Sequence, residues 1–197
     1  MQQRSEETIS QIMAAAIYLF SHTGYEAASV ANICTKAQVS KGAFYHHFPS
    51  KQALFLAIVD QWLQGIDTRL FSSREENESV PQSLLRMAKT LGFVFQAASG
   101  QLPMFMEFMV QASRDQAVWD ATIAPYRRYQ KQFAALLEQG KDEGSINPGA
   151  DVNAVSWSIL SLAIGILLQG VVDPGAADWE KVTTTGVQMI LDSIQKE

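Results

Sequence analysis

A single cysteine, Cys34, among 197 residues excludes an internal disulfide framework and fits a reducing compartment. Set among helix-spaced apolar residues, that thiol is expected to be a small buried hydrophobe. Charge is scarce as well. Asp, Glu, Lys and Arg make up 18% of the chain against 47% hydrophobic residues, which excludes a disordered polymer and leaves material for a good core in one large or two modest domains. The longest apolar run, residues 159–172, is interrupted by Ser161, Gly165, Gln169 and Gly170 and is too short to span a bilayer. At the N-terminus Arg4, Glu6 and Glu7 lead straight into a helical pattern rather than a targeting segment, so a cytoplasmic protein without a membrane partner is expected. Metal-binding patterns are also missing. His46 and His47 are adjacent and cannot easily share one helix face, and His22 is remote, so neither a metal nor a cofactor is expected. There is no glycine-rich phosphate loop, no nucleophile elbow and no helical Glu with two His, so an enzyme is not expected either.

What the chain does have is concentrated between Ser29 and Lys51. Ser29 stands before Val30, Ile33 and Ala37, which are spaced for one face of a two-turn helix. After a polar break Ser40 can cap a second short helix, Lys41 to about His47. Ala43, Phe44 and Phe48 can point inward there, while Lys41, Gly42, Tyr45 and His46 can point out. Two short helices joined by a tight turn, the second polar, basic and aromatic outside, have the form of a helix-turn-helix. Its DNA-reading surface is expected to comprise Ser29, Ser40, Lys41, Gly42, Ala43, Tyr45, His46 and Lys51. The hydroxyls and Lys51 would hold phosphates, Gly42 would allow close approach to the groove, and Lys41 would read a guanine edge or hold a phosphate. Residues 1–51 carry four Lys and Arg against three Asp and Glu, within a formal net charge of −5. The basic excess is slight, so non-specific affinity should be modest and salt-sensitive.

The other segments are helical throughout. Ile9, Ile12, Met13, Ala16, Ile17 and Phe20 form the stripe of a first, supporting helix ended by Gly24. Ser50 can cap a long connecting helix running to about Ser72, with a polar linker, SSREENE, at 72–78. Ser79 and Gln82 form a capping-box pattern before the next helix, and Asp151 can cap another. From Trp157 to Val172 that helix is apolar on all sides and needs two burial partners. One can be its own domain and the other a second copy of itself in an isologous contact, or a wholly intramolecular bundle can cover it.

The segments ISQIMAAAIYLFSHTGYEAASV and VSKGAFYHHFPSKQALF resemble the head of the TetR/AcrR-type bacterial transcriptional regulators. LPMFMEFMVQASRD, YRRYQKQFAALLEQGKDEGSI and ILSLAIGILLQGVVD resemble, more loosely, the ligand-binding half found in many members. Gln38 departs from the pattern, standing where glycine is usual, and costs roughly 1 kcal/mol if that turn needs positive φ. The resemblance implies an all-α protein with a three-helix head at 1–50, a connecting helix at about 51–72 and a bundle for ligand binding and dimerisation at 73–197. It implies a double-stranded DNA operator, a small-molecule effector and a homodimer. Pocket candidates are Trp62, Phe95, Phe105, Glu107, Phe108, Met109, Trp119 and Tyr126, with Glu107 either orienting a ligand or facing solvent. Interface candidates on the last two helices are Trp157, Leu160, Ile164, Leu168, Val187, Ile190 and Ile194. The expected function is a repressor released from DNA by a small, largely apolar or aromatic ligand. The alternative, suggested by Gln38 and the weakly basic head, is a ligand-binding or protein-interaction module that does not read DNA.

Overall fold

The computed structural model describes residues 2–71, 78–98 and 102–195, with side chains left aside at 2–4, 69, 71, 91–98 and 102–104. The described residues form nine helices: α1 (Gln2–Thr23), α2 (Val30–Ala37), α3 (Lys41–His47), α4 (Lys51–Phe71), α5 (Val80–Ala98), α6 (Leu102–Ala112), α7 (Gln116–Asp142), α8 (Val152–Val172) and α9 (Trp179–Asp192). They divide into two compact units, Met1–Gln64 with Gly100–Thr122, and Gly65–Ser99 with Ile123–Glu197.

Local chemistry sets most helix starts. Ser29, Ser40 and Ser50 accept from the backbone N–H three residues on, at 3.1, 3.0 and 3.0 Å, each satisfying an otherwise unpaired amide of the first turn. Asp151 and Asp178 do the same for α8 and α9. At α5, Gln82 reaches back to accept from the Ser79 N–H at 3.0 Å, as its capping-box position implies.

The first unit is built on aromatic packing. Phe20, Tyr25, Phe44, Phe55 and Phe108 are all at most 3% exposed, and Phe55 stacks on Phe108 with ring centroids 3.8 Å apart. Tyr25 meets both rings edge-on, at 5.4 and 5.1 Å. Helix α6 therefore belongs to the core of the head, although its place in the sequence points to the C-terminal domain. Its apolar face has partners some 50 and 80 residues earlier in the chain, which helical spacing cannot reveal. Cys34 is buried here, as expected, and burial pushes its thiol pKa up.

In the second unit α5 packs on α8 and α9, and α8 packs on α9. Ile146, fully buried, anchors the turn after α7, where the Asn147 N–H donates to the Ile194 carbonyl at 2.8 Å. Pro125 lies inside α7. Helix α8, at 21 residues, is long and apolar enough to cross a bilayer by length and composition, whereas the interrupted run 159–172 is not.

Candidate nucleic-acid interface

The two helices α2 and α3 are joined through Gln38, whose φ of 56° and ψ of 38° make it the one non-glycine residue in the left-handed region among the described residues. Its N–H and that of Val39 close the end of α2 onto the Thr35 and Cys34 carbonyls, so the turn keeps its geometry despite the side chain. Phe44 and Phe48 anchor α3 from within, at 0% and 7% exposure. That fixes the phase of the helix. Lys41, Gly42, Tyr45 and His46 are exposed on its outer side, Tyr45 at 53%, and Ala43 is half-buried. Ser29 and Ser40 are exposed at the two helix starts with their hydroxyls already engaged as caps. A Cβ added at Gly42 would meet only Ser40 Oγ at 3.7 Å, so nothing inside the head requires glycine there.

Lys51 was expected to face phosphate, and the structure turns its ammonium inward. Nζ donates to the Tyr25 and Glu26 carbonyls at 2.8 and 3.2 Å and lies 4.3 Å from the centre of the Tyr25 ring. Burial, against the pull of Glu26 and Glu107, lowers its pKa. Lys36 is likewise drawn to α1, 3.4 Å over the Tyr18 ring. The turn that Lys51 grips is held from its other side by Glu107 of α6, whose two carboxylate oxygens accept from the Tyr25 and Glu26 N–H groups at 2.8 and 2.9 Å. Gly24, at φ +83°, shapes this nest of amides, and a Cβ there would stand 2.9 Å from Glu107 Oε2. Glu107 is therefore a structural acceptor in the head, neither facing solvent nor left open for a ligand.

The other pocket candidates divide between the two units. Phe105, Phe108 and Trp119 pack in or against the core of the head, because the apolar face of α6 is needed there. Trp62 and Met109 are half-buried in the same unit, and Tyr126 is half-buried in the other, where burial raises its phenol pKa. The side chain of Phe95 lies outside the described residues. Of the interface candidates, Trp157, Ile164 and Leu168 are exposed at 44%, 38% and 37%, and Ile190 is half-buried. Leu160, Val187 and Ile194 are instead at most 8% exposed within the subunit, because α5, α8 and α9 pack there on one another. Val172, Val182 and Met189, which are not among those candidates, are exposed at 75%, 39% and 68%. An all-apolar helix carries no polar face to mark its phase.

Residues 12–58 match the family described as bacterial regulatory proteins, tetR family, and residues 84–193 match that described as BetI-type transcriptional repressor, C-terminal. The chain is 29% identical over 167 residues to the HTH-type transcriptional regulator UidR of Escherichia coli (strain K12), spanning 85% of this chain and 83% of that protein. Among solved structures it is similar to full-length TylP, a TetR regulator from Streptomyces fradiae, with a TM-score of 0.74 at 24% identity over 98% of this chain and 89% of that one. The SmeT–triclosan complex is similar with a TM-score of 0.77 at 20% identity, over 96% of this chain and 92% of that one.

Proposed function

This chain belongs to the tetR family of bacterial regulatory proteins, DNA-binding transcriptional regulators, and from that premise we propose that it is a cytoplasmic, homodimeric repressor whose operator complex a small molecule dissolves. The observation that carries this reading is the outer face of α3: Lys41, Gly42, Tyr45 and His46 are exposed while Phe44 and Phe48 lock the helix behind them. Lys41 and Tyr45 contact the groove and its phosphates, and Gly42 admits the backbone close to the base edges. One short helix with a single lysine is a weak reader. Two copies set on successive major grooves, roughly 34 Å apart, double the contacts and demand a two-fold interface. The exposed apolar stripe of Trp157, Ile164, Leu168 and Val172 on α8, with Val182 and Met189 on α9, supports that interface.

Release follows as a population shift. An effector must bind the off-DNA arrangement more tightly than the DNA-competent one, since equal affinity shifts nothing. A relative of this fold bound to triclosan supports a small, largely apolar or aromatic effector. Glu107 supplies the grip: through it α6 holds the Tyr25–Glu26 turn that leads into α2, so a displaced α6 carries the helix-turn-helix with it. The test is fluorescence anisotropy with DNA flanking the protein's own gene. Sequence-selective binding that weakens with salt and involves two chains per site is the expected result. Absence of any selective binding would overturn the reading in favour of a module that does not read DNA.

A further inference from the structure

The outer face of α3 is short of fixed positive charge. Lys36 holds its ammonium 3.4 Å over the Tyr18 ring, and Lys51 donates to the Tyr25 and Glu26 carbonyls. Among the described side chains of residues 5–51, that leaves Lys41 as the lysine on the reading face, in a chain whose formal net charge is −5. The same face ends in two histidines. His46 is exposed and His47 half-buried directly after Tyr45, and their rings meet edge-on with centroids 4.9 Å apart. Phe48, buried behind them, fixes the end of the helix. The third histidine of the sequence, His22, lies at the far end of α1, stacked on Tyr18 with Nδ1 2.8 Å from the Tyr18 carbonyl.

Imidazole is the side chain whose charge changes near neutral pH, a free one titrating at about pH 6.5. Two imidazoles this close repel when both are cationic, so the free head takes up its second proton only at a cost. A DNA phosphate beside the pair reverses that balance. Its negative charge favours the imidazolium, whose N–H groups then donate charge-assisted hydrogen bonds to the phosphate oxygens. Binding of this kind is strongest below the pKa of the free histidine and weakens as pH rises through the higher pKa that it has in the complex. The helices packed on α3 are α1 and α2, and α4 follows it. Their charged and titratable groups nearest in the chain are Glu6, Glu7 and His22 on α1, Lys36 on α2 and Lys51 at the start of α4, with Glu26 in the turn before α2 and Lys41 and Tyr45 on α3 itself. His22 is the one imidazole among them, and it is engaged with Tyr18.

We propose that the His46–His47 pair is the proton-dependent part of the DNA-reading surface, so that operator binding takes up protons and is tighter at pH 6 than at pH 8. The proposal rests on the DNA-reading assignment above and adds to it how that surface is regulated. It is tested by fluorescence anisotropy of the full-length protein with the DNA flanking its gene, at pH 6 and pH 8 and over a range of salt concentrations. Affinity should be at least about tenfold higher at pH 6, and the salt slope steeper by about two, for one added phosphate contact in each of two heads. A His46→Gln, His47→Gln double variant should bind at both pH values as the parent does at pH 8. His46→Lys, which makes the charge permanent, should bind at pH 8 about tenfold more tightly than the parent, and it keeps the test decisive if the double variant does not fold. His22→Gln should follow the parent at both pH values. The proposal is overturned if the parent binds equally at the two pH values, if the double variant keeps the parent's pH dependence, if His46→Lys gains nothing at pH 8, or if His22→Gln abolishes the effect. Selective binding that ignores pH would overturn this proposal and leave the DNA-reading assignment standing, whereas no selective binding at either pH would overturn both.

Discussion

Two carboxylates, one in each unit, are spent on different kinds of donor. Glu107 spends both oxygens on backbone N–H groups of the Tyr25–Glu26 turn, at 2.8 and 2.9 Å, and the turn is held on its other side by Lys51. Asp67 spends its carboxylate on side chains, accepting from Arg128 Nη2 at 2.8 Å and from the Tyr129 phenol, whose pKa it helps burial to push up. A saturated carboxylate is a structural fastener. A shared one joins two helices and holds a neighbouring phenol protonated. Glu107, the one acidic residue that the sequence offered as a ligand anchor, thus belongs to the backbone of the head.

The largest effect that would test this contrast is at Glu107. Truncation in Glu107→Ala leaves two turn amides without their acceptor, and urea unfolding should register a loss of about 2 to 3 kcal/mol, from the usual cost of unpaired amides. An unchanged unfolding midpoint would show that the clamp holds nothing. A smaller effect is expected of pH on the same turn. Burial, aided by Glu26, pushes the Tyr25 phenol from 10.0 up to about 12. A phenol whose pKa is raised on folding stabilises fully below its unfolded value and loses that contribution as pH rises through its folded one. Between pH 10 and 12, the parent should therefore lose roughly 2 kcal/mol that Tyr25→Phe does not lose, the other tyrosines acting equally in both. Parallel pH curves for the two proteins would contradict the assignment. The smallest effect is expected at Gln132, whose Oε1 is buried without a hydrogen-bond partner. Replacing Gln132 by Leu removes an orphan acceptor rather than a bond, so stability should stay within about 0.5 kcal/mol or rise. A large loss would mean that Gln132 is a fastener like Glu107.

The local part of this structure was legible in the sequence, and the non-local part was not. Ser29, Ser40 and Asp151 mark helix starts because a cap bonds to amides two or three residues away. Phe44 and Phe48 reveal which way α3 faces, because the remaining positions of that short helix are polar or small. Gln38 announced its own strained turn. By contrast, the bond from Glu107 to Tyr25 spans 82 residues, and nothing in the Met- and Phe-rich run of α6 says which core it enters. Lys51 sits where a phosphate contact was expected, yet a flexible four-carbon side chain can turn to carbonyls behind it as readily as to DNA in front. On α8 and α9 the sequence marked apolar residues correctly and could not sort Leu160, Val187 and Ile194, turned inward, from Val172 and Met189, turned out.

The most direct test of the account is the operator affinity of a Lys41→Ala, Tyr45→Ala double variant beside that of the parent. Both side chains are exposed on α3 and neither supports the core, so unfolding should be unchanged within about 0.5 kcal/mol, as for surface substitutions in general. Affinity for the DNA flanking the gene should fall at least about tenfold, with a shallower salt dependence, since phosphate contacts are lost from each head. A stably folded double variant that binds this DNA as tightly as the parent, with the same salt slope, would contradict the assignment of α3 as the reading surface.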